Sequence, residues 1–255
     1  MRQTYLLREL VRRDLAGRYR GSLLGFLWAF LTPVWQLALY TLVFSFILRV
    51  PLDAEGTSSF PIFLFAGLIP WLGFAESLSR STSAVVEHGN LVKKHRFPSE
   101  ILVLSAVVAA TAHQLVSIVL FGLWQGLTGA LPLGRVGWFV PALALQICLA
   151  VGLGWAAAAI QVYFRDVSQV VGIALSGGFY LTPIVYPTSL IPEALRPWIV
   201  LNPFSTVVGA FRAALVGGPV PEARAWIFAS ASALILAVAG FLLFRRLRPG
   251  FADEL

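Results

Sequence analysis

The sequence has few of the residues that build most catalytic and metal sites. Its one cysteine, Cys148, lies inside an apolar run, so neither a disulfide framework nor a thiolate metal cluster is available. Its two lysines, Lys93 and Lys94, do not follow glycines, which excludes the Gly-x-x-x-x-Gly-Lys loop of P-loop nucleotide-binding proteins. His88 and His95 lack a firm third metal ligand, and the patterns His-Glu-x-x-His and Gly-x-Ser-x-Gly are missing. We therefore expect no metal site, no nucleotide site and no catalysis by this chain alone.

Charged residues are also scarce. They make up 12% of the chain, about half the share in soluble domains, and they cluster between long apolar runs. Apolar residues make up 58%, so a soluble domain of this size could not cover its surface with polar groups. The net charge of +7 lies beside hydrophobic segments, which favours anionic lipid headgroups over nucleic acid as the partner. The composition predicts an integral membrane protein.

Six apolar segments approach or exceed the length that crosses a bilayer, which is about 20 helical residues for a hydrocarbon core of roughly 30 Å. The first follows basic residues, as the core of a signal peptide does. It is uncharged from Gly21 to Leu48, however, much longer than the roughly 7 to 15 residues of a signal core, so we expect it to remain as a span. The predicted fold is an all-α integral membrane protein, a single domain over 1–255, with six transmembrane helices at 26–48, 60–78, 101–123, 138–163, 167–185 and 225–244.

The positive charges predict the orientation of these spans. Cytoplasmic connections carry the excess of Lys and Arg in membrane proteins. Here most of the 19 basic residues lie before the first span, after the second, after the fourth or after the sixth: Arg2, Arg8, Arg12, Arg13, Arg18, Arg20, Arg80, Lys93, Lys94, Arg96, Arg165, Arg245, Arg246 and Arg248. Both ends of the chain are therefore expected on the cytoplasmic side.

Two cytoplasmic segments have an amphipathic pattern. Residues 5–19 place an apolar stripe opposite arginines, which predicts a helix in the inner membrane interface; a solvated tail is the alternative. Residues 84–96 mix apolar and basic positions and end before Pro98, which predicts a short helix that presents its apolar side to a soluble partner. A basic loop with no partner is the alternative for this second segment.

The longest outer connection carries signals for helix ends. Asn202 can cap a helix, Pro203 suits its first position, and Gly217 with Gly218 can end it. We expect short helices within 192–217 at the outer face or re-entering it. A gating role and a plain surface role are both compatible with these residues.

Aromatic residues recur on single faces of the first and fifth spans. Trp28, Trp35 and Tyr40 share one such face, and Phe179 lies on a face of the fifth span that also carries small residues. Small residues let helices approach, while aromatic rings offer flat faces on which sugars can stack. Helix packing and a path for sugars are both open interpretations.

Several motifs together resemble a known family. The chain resembles the ABC-2 type permeases that export polysaccharides such as O-antigen, teichoic acid and capsule, in five stretches that occur in the family's order: Arg18 to Trp28 running to Thr32-Pro33, Asn90 to Pro98, Tyr163-Phe-Arg-Asp166, Phe179 to Pro187, and Leu201 to Phe204 with Phe211-Arg212.

The resemblance implies a set of partners. In such permeases two copies pair around a translocation path, and each copy docks one ATPase subunit, which binds the ATP and Mg²⁺. The implied substrate is a lipid-linked polysaccharide, and the implied location is the bacterial inner membrane. The second inner segment, 84–96, would be the coupling helix that contacts the ATPase, with contact residues Val85, Val86, Leu91, Val92, Lys93, Lys94 and Phe97.

The resemblance also assigns roles along the substrate's route. The helix over 5–19 would shape the access route at the inner face, and helices within 192–217 would form the outer gate. The implied path residues are Trp28, Trp35, Tyr40, Phe179 and Tyr180. The implied gate residues are Pro192, Asn202, Pro203, Phe204 and Arg212.

Three arginines are candidates for binding a pyrophosphate linker at the inner face. The guanidinium groups of Arg18, Arg20 and Arg165 suit phosphate geometry, although each is also explained as an anchor of the positive-inside type. Other functions are open: an exporter of drugs or small lipids, or an ATP-independent carrier or channel. An ion-driven carrier would need ionisable residues near the membrane centre, and only Glu76, near the end of the predicted second span, and His113 qualify.

Overall fold

The structure, a computed structural model, describes residues 2–18, 24–47, 57, 59–93 and 97–255. Every regular element within these ranges is helical, as predicted from composition. The α-helices are α1 (Arg2–Arg18), α2 (Trp28–Tyr40), α3 (Phe60–Glu87), α4 (Gly89–Val92), α5 (Glu100–Leu127), α6 (Phe139–Tyr163), α7 (Val167–Leu181), α8 (Arg196–Val200), α9 (Pro203–Val216), α10 (Ala223–Leu247) and α11 (Phe251–Glu254).

Four helices are long and apolar enough to cross a membrane: α3, α5, α6 and α10. The helices α3 and α5 have 28 residues each, so each rises about 42 Å and exceeds a hydrocarbon core of roughly 30 Å. A fifth candidate arises if the bent pair of short helices around α8 and α9 is counted as one broken span. The structure confirms helices at the predicted second, third, fourth and sixth spans.

The predicted first and fifth spans are shorter helices. Helix α7 has 15 residues and ends at Leu181, four residues before the predicted end, because Thr182 precedes Pro183 and takes the extended backbone that proline imposes on its neighbour. Helix α2 has 13 residues and contains Pro33, and it continues as a π-helix over Thr41–Ile47. Neither α-helix reaches the length of a full span by itself, so the structure supports four of the six predicted spans, and the first and fifth stay predictions.

Helix α3 is the centre of the bundle. In its most apolar stretch 72% of the residues are buried, against 22% for α10, which is therefore peripheral. The main core joins α3 to α6 and α9, with Phe63, Leu64, Leu149, Val207 and Phe211 almost without exposed surface. The surrounding helices thus shield α3, which carries Glu76 and Arg80.

Helices α6 and α10 approach each other through glycines. A Cβ atom on Gly240 would lie 2.0 Å from the carbonyl oxygen of Gly152, and a Cβ atom on Gly152 would lie 2.6 Å from the backbone nitrogen of Ala237. No side chain fits at either position. Small residues at such contacts are the usual way in which membrane helices pack closely.

Helix α1 is amphipathic, as predicted, although its apolar stripe is covered by protein. The side chains of Leu6, Leu7 and Leu10 pack in a small cluster with Ala84 at the C-terminal end of α3 and Leu102 at the N-terminal end of α5. The basic face of α1 is exposed. The helix therefore lies against the bundle, and it begins at Arg2, three residues before the predicted start.

The outer segment follows its local signals. The side chain of Asn202 accepts a hydrogen bond from the backbone N–H of Phe204 (3.0 Å), and Pro203 is the first residue of α9. The helix ends at Gly217, which has a left-handed backbone with φ of 77°. The guanidinium of Arg135 donates to the carbonyls of Gly217 (2.6 Å) and Gly218 (2.7 Å), which fixes this end beside the turn that precedes α6.

Candidate functional site

The predicted coupling helix differs from the observed structure at its start. Helix α3 continues to Glu87, so Ala84 and Val85 belong to its last turn, and Val85 has no exposed surface. Val85 packs in a small core with Phe244 and Phe251, and its side chain is covered by the chain itself. The prediction placed Val85 among the contact positions of a separate helix over 84–96, whereas its packing partners Phe244 and Phe251 come from a distant part of the chain.

The separate helix at this position is only four residues long. Helix α4 follows His88, whose Nδ1 lies 2.9 Å from the carbonyl oxygen of Ala84. Val86, Val92 and Phe97 are partly buried against other parts of the chain, Leu91 is partly exposed, and Lys93 is exposed. Lys94, His95 and Arg96 lie outside the described residues.

A chain of charged side chains joins α1, α3 and α5. Arg80 forms an ion pair with Asp14 of α1, and its Nη1 lies 3.9 Å from Oε1 of Glu76, one turn earlier on α3. The other oxygen of Glu76 lies 3.2 Å from Nδ1 of His113 on α5. Glu76 is about three turns from the end of α3 and His113 is at the middle of α5. Glu76 is thus well inside its helix, because α3 runs beyond the predicted end of the second span.

This charged chain borders a cavity between α2, α3 and α5. The cavity has a volume of ≈ 400 Å³, and its polar lining comes from all three helices: Thr32, Gln36, Glu76, Ser79, His113, Gln114 and Ser117. Ionisable groups at membrane depth normally face the bundle interior or a water-filled cavity. Among the described residues, no group of three or more His, Cys, Asp or Glu side chains could hold a metal ion.

Next to this cavity two amides form a buried pair that the sequence did not indicate. Gln114 on α5 and Gln146 on α6 exchange side-chain hydrogen bonds of 3.1 and 2.7 Å, at 4% and 1% exposure. Gly73 of α3 makes room for them, since a Cβ atom there would lie 2.0 Å from Oε1 of Gln114. The pair satisfies two amides that would otherwise lack partners inside the bundle.

The predicted path residues lie in two different environments. Trp28 and Trp35 on α2 and Tyr180 on α7 are 47%, 67% and 67% exposed. Tyr40 and Phe179 are partly buried against the main core, and the ring of Phe179 lies 6.1 Å from that of Trp71. The first three rings are therefore accessible from outside one chain, and the other two are held by packing.

Arg212, predicted as a gate residue, is buried at 2% exposure. Its guanidinium donates to the carbonyls of Pro183 and Ile184, both at 2.7 Å, and its Cζ lies 3.5 Å from the ring centre of Phe63. Gly67 makes room for it, because a Cβ atom there would lie 2.9 Å from Nη2. The arginine thus fixes the chain after α7 to the centre of the bundle.

The other predicted gate residues differ in burial and in their contacts. Nδ2 of Asn202 donates to Oγ1 of Thr182 (2.8 Å), and Phe204 is buried with its ring edge-on to Trp71 at 5.2 Å. Pro192 is exposed and precedes a 3₁₀ turn. Tyr186, in the same outer segment, donates to the carbonyl of Tyr180 (2.9 Å), and burial raises the pKa of its hydroxyl.

The predicted phosphate-binding arginines are placed only in part. Arg18 is the last residue of α1, and Arg20 lies outside the described residues. Arg165 is exposed in the connection from α6 to α7, where its carbonyl accepts from Nε2 of Gln161 at 3.0 Å. Arg165 is therefore accessible, on the side of the bundle that the charge pattern predicts to be cytoplasmic.

Comparison with known proteins places these features in a family. The model of the ABC-2 type transporter family matches residues 5–216. The chain is 32% identical over 252 residues to the O-antigen export system permease protein RfbA of Myxococcus xanthus, which covers 98% of this chain and 95% of that protein. It is 28% identical over 251 residues to RfbA of Klebsiella pneumoniae, with 98% and 95% covered.

A second kind of relative has a different printed role. The polysialic acid transport protein KpsM of Escherichia coli is 25% identical over 250 residues, which covers 95% of this chain and 93% of that protein. One kind of relative is by name an O-antigen export permease and the other a polysialic acid transport protein, and both align with nearly the whole chain. With a family match that covers most of its length, the protein belongs to the ABC-2 type transporter family.

Proposed function

We propose that this chain is the membrane-spanning permease of an ATP-driven exporter that moves lipid-linked polysaccharide outward from the cytoplasmic side of the bacterial inner membrane. The observation that carries the proposal is the 32% identity to an O-antigen export permease along 98% of the chain. O-antigen or a similar glycan is the substrate that this likeness favours, ahead of teichoic acid or capsule.

The proposed energy source is a separate ATPase subunit. The chain has no P-loop, because its two lysines do not follow glycines. ATP and Mg²⁺ would therefore be bound by the partner, two copies of which would dock at the cytoplasmic ends of two permease chains. The exposed Lys93 and the partly exposed Leu91 belong to the surface available for that contact.

A homodimer is supported by the exposed faces of α2 and α7. Helix α7 has no buried residue, and its exposed side chains include Val170, Ile173 and Tyr180. Trp28 and Trp35 are exposed on α2. In a pair of chains such rings would face a shared path, where aromatic rings can stack on sugar units.

The contacts within the polar network favour the exporter over an ion-driven carrier. Glu76 and His113 are ionisable groups inside the bundle, which a carrier would require. Each has a nearby charged or ionisable partner within the permease, Arg80 and each other, which suits a structural role. An exporter of drugs or small lipids in the same family remains the second candidate, since it would use the same fold and the same ATPase.

The test is purification of the tagged chain from its native membranes in a mild detergent, with mass spectrometry of what stays bound. We expect a stoichiometric P-loop ATPase whose hydrolysis rises with a polyprenyl-linked or other lipid-linked glycan. Stimulation by small lipids or drugs alone would favour the second candidate. A permease that moves solute without any ATPase would contradict the proposal.

A further inference from the structure

The chain after α10 folds back onto the cytoplasmic end of the bundle. We call residues Arg248–Leu255 the C-terminal segment; it consists of a 3₁₀ turn over Arg248–Gly250 and helix α11. The turn begins where Oη of Tyr163, the last residue of α6, donates to the carbonyl of Leu247 at 2.8 Å. A Cβ atom on Gly250 would lie 2.4 Å from the same Oη, so the turn passes closely over the tyrosine.

The C-terminal segment is anchored by one aromatic side chain. Phe251 is 1% exposed and lies edge-on to Phe244 of α10 with 5.2 Å between ring centres. The same core contains Val85 at the end of α3, and Val92 of α4 packs against it. The C-terminal segment therefore shares a core with the end of α3 and with α4. Both belong to the region that the family resemblance assigns to coupling.

The C-terminal segment also contacts the start of that connection. The side chain of Leu255 lies against Gly89, where a Cβ atom would be 3.6 Å from Cβ of Leu255, an ordinary contact distance. Gly89 is the first residue of α4. We call the described residues 89–93 and 97 the coupling segment.

Arg248 holds the other end of the coupling segment. Its Nη1 donates to Oε1 of Glu100 at 2.6 Å, and its Nη2 donates to the carbonyl of Phe97 at 3.0 Å. Glu100 begins α5, so a single guanidinium joins the end of the coupling segment to the next span. Such two-acceptor contacts suit the planar fork of arginine, which a lysine cannot reproduce.

The coupling segment needs this support. A helix of four residues is too short to be stable by itself, because helix nucleation is costly and only longer helices recover that cost. The contacts from Leu255 and Arg248 lie at the two ends of the coupling segment. A loop that transmits movement between subunits must hold a fixed conformation. Here the contacts from the C-terminal segment stabilise that conformation.

We propose that the C-terminal segment positions the coupling segment and forms with it one continuous docking surface for the ATPase subunit. The proposal rests on the proposed function. On this surface Asp253 and Glu254 are exposed on α11, and Asn90 and Lys93 are exposed on α4. The occupant is a protein and not the membrane surface, because two adjacent carboxylates would be repelled by anionic lipid headgroups.

The experiment uses the full complex purified from membranes, with three variants of the permease. Arg248→Gln removes the guanidinium group, and Arg248→Lys keeps the positive charge without the planar pair of N–H donors. The double variant, Asp253→Lys with Glu254→Lys, reverses the exposed charges. Glu222→Lys, an exposed acid before the outer end of α10, is the matched control for charge reversal. Each complex is assayed for ATPase retained per permease and for glycan-stimulated hydrolysis per ATPase retained.

We expect the double charge reversal to lower ATPase retention by roughly tenfold, with the thermal unfolding of the permease alone unchanged. Arg248→Gln should leave hydrolysis that no longer responds to glycan, Arg248→Lys should restore part of the response, and Glu222→Lys should behave as wild type. Because the double variant changes only exposed side chains, it tests the surface even where Arg248→Gln does not fold.

Wild-type retention and glycan response in both the double variant and Arg248→Gln would overturn the inference while leaving the proposed function intact. Equal losses in Glu222→Lys would also overturn it, since the effect would then be one of net charge. A wild-type permease that retains no ATPase would instead contradict the proposed function, so the two failures are distinguishable.

Discussion

Oε2 of Glu76 lies 3.2 Å from Nδ1 of His113, which joins the interior of α3 to the middle of α5. Arg80 reaches the same carboxylate from one turn away and also pairs with Asp14 of α1. One acid thus connects two spans and, through Arg80, the cytoplasmic helix α1. Charged groups are costly in a bilayer, and this network keeps each of them beside a partner.

Removing the acid should weaken the bundle. We expect Glu76→Gln to lower the free energy of unfolding by about 1 to 3 kcal/mol, because His113 and Arg80 lose an ionised acceptor. Thermal unfolding of the purified permease in detergent measures this. In a double-mutant cycle with His113→Gln the two losses should be less than additive. Additive losses would mean that the two side chains do not interact.

The amide pair at the centre of the bundle depends on Gly73. We expect Gly73→Ala to destabilise the permease by about 1 to 3 kcal/mol, since the new methyl group would overlap Oε1 of Gln114 and disturb its bonds to Gln146. Gly122→Ala is the control, because nothing lies within 4 Å of a Cβ atom at that position. Equal stability of the two variants would show that Gln114 can move aside at no cost.

Arg212 should be a stability residue more than a gate residue. We expect Arg212→Gln to lower the free energy of unfolding by about 3 kcal/mol, because a shorter side chain leaves the carbonyls of Pro183 and Ile184 unpaired inside the protein. Arg196→Gln, at an exposed arginine of α8, should be neutral. A stable Arg212→Gln protein with altered export would instead support the gate assignment.

The coupling segment should separate into buried and exposed positions. We expect Lys93→Glu to weaken ATPase retention by roughly two- to fivefold without unfolding the permease, as for a charge at the rim of an interface. Val85→Asp should reduce the amount of folded permease in the membrane, because it places a carboxylate in a closed core. Retained ATPase measured per permease distinguishes these effects. A folded Val85→Asp permease that fails only to bind the ATPase would restore the predicted contact role of Val85.

The arginines near the inner face have their own test. We expect Arg18→Gln combined with Arg20→Gln to reduce export at an unchanged level of inserted protein, because guanidinium groups would bind the phosphate of the lipid linker. Arg12→Gln, which removes an exposed charge from the same helix, is the control. Normal export in the double variant would reduce these residues to membrane anchors.

Local signals in the sequence predicted the helix ends well. Asn202, Pro203 and Gly217 fix the bounds of α9 because capping and left-handed backbone depend on neighbouring residues only. Hydropathy located the four long spans for a similar reason, since each is apolar along its own length. The end of α7 departs from hydropathy because Pro183 stops the helix within an apolar run.

Contacts between residues far apart along the chain could not be predicted from the sequence. The burial of Val85 depends on Phe244 and Phe251, and the burial of Arg212 depends on carbonyls after α7 and on the ring of Phe63. Each of those partners is far away along the chain. Hydropathy and charge treat Arg212 as an outer-loop residue because they carry no information on which backbone carbonyls a turn will expose.

The glycine contact between α6 and α10 has a mechanical consequence. Backbone atoms meet at Gly152 and Gly240, so neither helix can slide past the other without breaking the contact. At the outer end the rings of Trp138 and Trp226 stack with 5.7 Å between their centres. We expect the two helices to move together as one rigid unit.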